Sequence, residues 1–356
     1  MARARRTDWL FIAMRWLLML AAGLLPAGCA RPAGVIFPPP QKPIVWPGPP
    51  EPPRVRHVGQ IATSADLKPA VPLTRRLGEA IFGKRPTRSM LTPYAVCTDG
   101  RQRLFVADSN AQLIHVFDLA TRQYAQWKPA DRYEPFSQPV GLAWDSATGR
   151  LYVSDSIGGR IYVFDGSGET VGQIGGQFLS RPCGLAIDPQ RDLLYVTDAS
   201  LHQLVVLSRD GRLVSRFGHR GTGPAEFNFP TNVALDRAGR IYVSDSLNFR
   251  VLQFDPDLRP LRQIGRKGDL PGYFGQPKGI ATDSENHLYV VDAHFEAVQI
   301  FDADGNLLLD FGQEGTGPGE FWLPAGIHID PNNRIWIADS YNRRVQVFDY
   351  LPEARP

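Results

Sequence analysis

The sequence predicts an all-β fold, a six-bladed β-propeller of four-stranded antiparallel blades, on three observations: six apolar strands each ending in aspartate, a second landmark with the same beat, and four strand-like runs per unit. The aspartates are Asp108, Asp155, Asp198, Asp245, Asp292 and Asp339, separated by 47, 43, 47, 47 and 47 residues. Each closes a run such as Tyr242-Val243-Ser244-Asp245 or Trp336-Ile337-Ala338-Asp339. A proline opening a short apolar strand falls at Pro93, Pro139, Pro182, Pro230, Pro277 and Pro324, spaced 46, 43, 48, 47 and 47. Two landmarks in step define a repeat rather than a chance motif.

Within one unit the strands read 232–235, 241–244, 250–254 and 261–264, rich in Val, Ile, Leu, Tyr and Phe. Asp, Gly, Asn and Pro fill the turns between them, as short antiparallel hairpins require. No Gly-His opening or Trp-Asp closing recurs, so the repeat is not of the WD40 kind. The sixth unit reaches residues 345–348 and lacks an outermost strand, while residues 55–61 resemble the outermost strands at 171–174 and 261–264. An N-terminal strand is therefore expected to close the sixth blade and remove the exposed sheet edges.

Ahead of the ring, Arg3, Arg5 and Arg6 precede an apolar run too short to span a bilayer as a mature helix, the proportions of a signal peptide over residues 1–28. The run ends Leu25-Pro26-Ala27-Gly28-Cys29, which resembles a bacterial lipobox with Cys29 as the lipidated residue. Pro26 stands where leucine is usual. Ala30 lacks the aspartate associated with inner-membrane retention, so the resemblance implies an outer-membrane anchor facing the periplasm or the outside.

Residues 32–53 hold ten prolines in 22 positions. That density excludes helix and ladder and predicts a semi-rigid polyproline II stalk over residues 29–53, up to roughly 70 Å long. A Pro-rich docking ligand is the alternative. The propeller is expected over residues 54–350, with a short tail at 351–356. An insertion at residues 63–91 carries Leu73, Leu77 and Ile81 at four-residue spacing, with Arg75, Arg76, Lys84, Arg85 and Arg88 among or after them. It predicts a short amphipathic helix and a basic loop. A lid or docking element on the face of His202 and His294 competes there with a plain packing strap.

Composition narrows the function. The 39 Lys+Arg against 36 Asp+Glu leave a formal charge of +3, with several of the arginines in the leader, so the mature surface is near neutral and nucleic acid is not the expected partner. The three cysteines, Cys29, Cys97 and Cys183, have neither metal-knuckle spacing nor the density of a disulfide scaffold. Asp155, Asp245 and Asp339 are each followed five residues later by Arg160, Arg250 and Arg344, which predicts a repeated structural ion pair across a hairpin. Blades three and five break that pattern with His202 and with His294 and Glu296.

The wording of the units, as in 324–330 followed by 335–345, is similar to the NHL repeat family. So are the linkers Phe217-Gly218 through Phe227 and Phe311-Gly312 through Phe321. The resemblance implies that the loops between second and third strands, with those entering each innermost strand, gather around one channel mouth. That face would carry His202, His294, Lys278, Arg181, Cys183, Asn110, Asn248, Tyr341 and Asn342. It also reaches lyases and lactonases that hold zinc or calcium at such a mouth. No metal site is expected here: the histidines lack an evident third ligand, and the innermost-strand entrances carry no carboxylate for a calcium cage. Phosphate loops, nucleophile elbows and His-Glu-x-x-His motifs are missing from the sequence.

The expected protein is thus a membrane-anchored, monomeric propeller in the cell envelope that binds a protein partner. The alternative is a zinc- or calcium-dependent lyase or lactonase using His202 and His294 on a small molecule.

Overall fold

The computed structural model describes residues 32–83 and 86–352. The leader, Cys29, the basic residues Lys84 and Arg85 and the last four positions of the tail lie outside the described residues. Residues 35–67 and 87–352 belong to one compact unit, the propeller; residues 32–34, 68–83 and 86 belong to a second, smaller one.

Six antiparallel sheets form the propeller, each a meander from an innermost to an outermost strand. Blade 4 is representative, with strands Pro230–Leu235, Ile241–Asp245, Arg250–Phe254 and Pro260–Ile264. The second strands are buried on both faces because they sit mid-sheet between neighbouring blades, and three residues before each terminal aspartate stands an aromatic. These are Phe105, Tyr152, Tyr195, Tyr242, Tyr289 and Trp336, all at most 2% exposed. The cores lie between blades: Tyr152 and Val163 of blade 2 pack with Leu194 and Val205 of blade 3, for example. Near the axis the innermost strands crowd. A side chain at Gly141 would meet the backbone of Cys183 in the next blade, and one at Gly326 the backbone of Tyr94.

The N-terminal strand Val55–Ile61 pairs antiparallel with Arg344–Tyr350, Val55 opposite Tyr350 and Ile61 opposite Val345, closing the ring as the sequence predicts. The sixth sheet then gains a fifth strand, Val45–Trp46, paired to Val55 and Arg56. This corrects the expected stalk. Residues 35–53 lie in the propeller unit, and Trp46 packs its ring 5.7 Å from Phe311 and 5.9 Å from Phe348. Phe37 joins the cluster around Trp336 and Leu67. The physical reason is composition between the prolines: Phe37, Ile44, Val45 and Trp46 supply apolar surface, and two ladder positions fit between Pro43 and Pro47.

The ends of the insertion are part of the same wall. Leu67 and Met90 are fully buried, and Thr63 bridges Ser89. In the smaller unit, helix Leu73–Phe82 follows Pro72, whose extended backbone suits a helix start, and stops at Gly83 with φ 82°. Its last residues Ile81 and Phe82 are exposed. Among the described residues no helix is long and apolar enough to cross a membrane.

Candidate functional site at the two channel mouths

The repeated aspartate that ends each second strand is a folding device. Asp108 accepts the amides of Leu91 and Thr92, Asp198 those of Ser180 and Arg181, and Asp292 those of Gly275 and Gln276. Each buried carboxylate thereby ties down the loop that enters the innermost strand of its own blade.

In blades 4 and 6 an arginine completes this arrangement. Arg250 Nε donates to Asp245 at 2.8 Å while its other nitrogens hold the carbonyls of Thr222, Gly223 and Glu226. Arg344 does the same with Asp339, Thr316, Gly317 and Glu320, and also reaches Gln60 of the closing strand. The Gly-Thr-Gly-Pro linkers are therefore structural loops coiled around a buried guanidinium. Blade 2 differs from expectation. Arg160 forms its ion pair with Glu134 at 2.7 Å and donates to Gly158 O, while Asp155 is satisfied by the amides of Ser137 and Gln138. The loop before blade 2 lacks the Gly-Thr-Gly-Pro carbonyls, so the guanidinium turns to the carboxylate nearby.

The residue four beyond each aspartate is left-handed in every blade, Gln112, Gly159, His202, Phe249, Glu296 and Arg343, with φ between 53° and 64°. Three of them reach to the next blade: Gln112 Nε2 donates to Ser137 O, His202 Nδ1 accepts from Phe229 N at 3.1 Å, and Glu296 Oε1 accepts from Leu323 N. His202 thus staples blade 3 to blade 4. His294 stands two residues beyond its aspartate, exposed, with its ring against Phe295. Among the described residues no group of three or more His, Cys, Asp or Glu is placed to hold a metal.

Asn248 and Asn342 are likewise internal fasteners, donating to Gly221 O and Gly315 O and to Asp245 and Asp339. Asn110, though exposed, donates to Thr92 Oγ1 at 2.7 Å. What the loops do present to solvent is the position two beyond the aspartate. Ile157, Leu247 and Tyr341 of blades 2, 4 and 6 are 65%, 50% and 57% exposed, with Trp322 beside Tyr341 at 5.6 Å.

At the entrance to the axis, the residues just after Pro93, Pro182 and Pro277 are Tyr94, Cys183 and Lys278. Lys278 Nζ lies 5.7 Å from the Tyr94 ring centroid, and burial lowers the ammonium's pKa. Burial pushes the Tyr94 hydroxyl up to about 12, with the nearby Cys183 raising it further and Arg181 opposing. The Cys183 thiol, also raised by burial, lies 3.5 Å from Arg181 O and 3.6 Å from Ser156 Oγ. Arg181 itself rests over Phe229.

The opposite mouth holds a cavity of about 480 Å³ lined by Trp144, Asp188, Asp236, Asp283, His328 and Asp330 among others. The aspartates there cap turns: Asp236 takes the amides of Ala238 and Arg240 and pairs with the Arg240 side chain, and Asp283 pairs with His287 at 2.9 Å. His328, on the innermost strand of blade 6, is not among the residues that the sequence singles out. It faces the channel void, bonded to Thr98 Oγ1 at 3.0 Å, and burial drives its pKa down to about 4. Only the ring's axis makes that strand position an interior wall; the residue pattern carries no signal of it.

A family profile described as "6-bladed beta-propeller" matches residues 186–264 and 274–351. No curated protein matches the chain. Among solved structures the chain is similar to virginiamycin B lyase from Staphylococcus aureus, with 14% identity and a TM-score of 0.55, covering 73% of this chain and 96% of that one. It is also similar to an auxiliary nutrient binding protein from Bacteroides thetaiotaomicron, at 13% identity and TM-score 0.58, covering 73% and 69%. A third is Kuenenia stuttgartiensis hydrazine synthase, at 14% identity and TM-score 0.54, covering 74% and 97%. At such identities the likeness establishes the six-bladed fold.

Proposed function

We propose that the protein is an extracytoplasmic scaffold of NHL type, lipid-anchored through Cys29, whose propeller binds a protein partner of an envelope complex on the loops between second and third strands. The observation that carries the reading is the set of exposed apolar side chains Ile157, Leu247 and Tyr341 on loops whose backbones are held in place, the Leu247 and Tyr341 amides donating to Asn228 O and Trp322 O and the Gly158 amide to Asp155. Apolar groups held outward on rigid loops favour association, because little ordering entropy is lost on binding. The nutrient-binding protein among the similar structures is a precedent for binding on this fold, and a fold alone does not assign the ligand. The lyase or lactonase alternative gains nothing from His202, whose Nδ1 already accepts the Phe229 amide.

The test is crosslinking in the native envelope, comparing the natural protein with the triple variant Ile157→Asp/Leu247→Asp/Tyr341→Asp and with Cys29→Ala. A reproducible protein neighbour that disappears in the triple variant, and a Cys29→Ala protein released from the membrane fraction, are the expected results. A crosslinking pattern indifferent to the triple variant rejects this face.

A further inference from the structure

We infer that the entrance mouth of the channel is a carboxylate-binding site, in which Lys278 and Arg181 supply the charge and Tyr94 a hydroxyl donor. The three residues come from different blades, 5, 3 and 1, at strand starts that converge on the axis, and the Arg181 charge is close enough to act on the Tyr94 hydroxyl. Lys278 Nζ stands 5.7 Å from the Tyr94 ring, and Arg181 lies over Phe229 at 5.6 Å with its residue immediately ahead of Pro182. Among the described residues neither cation has an ion pair. For Lys278 that leaves a partly buried ammonium with no carboxylate against it.

The acidic groups nearest in the fold are already committed. Asp198 accepts the amides of Ser180, Arg181 and Leu201, and Asp292 those of Gly275, Gln276 and His294. A half-buried ammonium without a counterion is destabilised by its surroundings, and an incoming anion relieves that cost. The same hydrogen bonds choose the class of anion. Phosphate sites are typically built from free backbone amides, and those of the loops entering blades 1, 3 and 5 already donate to Asp108, Asp198 and Asp292. What remains is side-chain donation from one Lys, one Arg and a phenol, suited to a carboxylate.

The inference stands on the mouth side chains and does not require the partner reading above. It is tested with the full-length protein in detergent, titrated with succinate by calorimetry and with fluorescein-labelled tetraglutamate by anisotropy. Binding that weakens with added salt, falls about tenfold or more in Lys278→Met and in Arg181→Met, and recovers in Lys278→Arg is the expected result. Both Met variants should melt like the natural protein, since the backbone bonds of positions 181 and 278 are retained. Succinate binding on its own marks a small-molecule source; tetraglutamate binding without succinate binding marks an acidic protein segment. No binding of either probe at millimolar concentration, or equal binding by the Lys278→Met/Arg181→Met double variant, overturns the site.

Discussion

Two histidines titrate in opposite directions. His328 is held neutral by burial down to about pH 4, whereas in the unfolded chain it protonates near the ordinary value of 6.5. Between those values unfolding takes up a proton, so its contribution to stability is complete above 6.5 and is lost as pH falls toward 4. At about 1.4 kcal/mol per unit the loss is up to roughly 3 kcal/mol, reduced by whatever water the channel admits. His287 is the reverse: its hydrogen bond to Asp283 raises it, so its contribution is complete below 6.5 and fades as pH rises through the folded value. Urea midpoints measured across pH should show the acid limb flattened in His328→Gln and the neutral-to-alkaline limb flattened in His287→Gln. An unchanged acid limb in His328→Gln would contradict the buried neutral ring. The low value of His328 is not legible in the sequence, because Thr98 reaches it only across the blade 6 to blade 1 junction, whereas the partner of His287 stands four residues back in its own turn.

At the scale of the hairpin and its linker, the same Asp-to-Arg spacing has two energetic meanings. Arg344 is 6% exposed and Asp339 fully buried, with the guanidinium also holding three linker carbonyls and Gln60. Arg344→Met leaves Asp339 buried without its cation and is expected to cost about 3–5 kcal/mol. Arg160 instead meets Glu134, which is 72% exposed, and Arg160→Met is expected to cost under about 1 kcal/mol. Chemical denaturation of the two variants checks the contrast, and equal losses would refute it. The five-residue spacing in the sequence announced the hairpin correctly in all three blades. It announced the pairing correctly in blades 4 and 6 but not in blade 2, because the linker before the blade decides it: Gly315-Thr316-Gly317-Pro318 offers carbonyls to a guanidinium, and Pro129 through Ser137 does not. The aspartate ring was equally visible as a repeat, yet its partners are amides 16 to 18 residues upstream, a distance that no local pattern displays.

At the scale of the whole ring, closure depends on more chain than the one strand the sequence singled out. Residues 55–61 read as an outermost strand because they share the wording of other outermost strands; residues 44–46 resemble none of them and were hidden among prolines. Yet Gly319 takes a φ of 81°, and a side chain there would run into the Trp46 ring, so blade 6's linker leaves room for this strap. The strap covers the outer edge of the closing strand, where an unpaired edge otherwise stands exposed, and seats Trp46 against Phe311 of blade 5 and Phe348 of blade 6. It thereby joins the last two blades across their shared core. Trp46→Ala is expected to remove about 3 kcal/mol, the low end for truncating a packed tryptophan, and to lower the melting temperature. Deleting residues 54–62 is expected to do far more, since it removes a whole ladder. Limited digestion with proteinase K separates the strap from a free stalk. The natural protein should resist cleavage between residues 35 and 53, and Trp46→Ala should be cut there faster. If both are cut at the same rapid rate and melt together, the Pro-rich segment is not what holds the last blade shut.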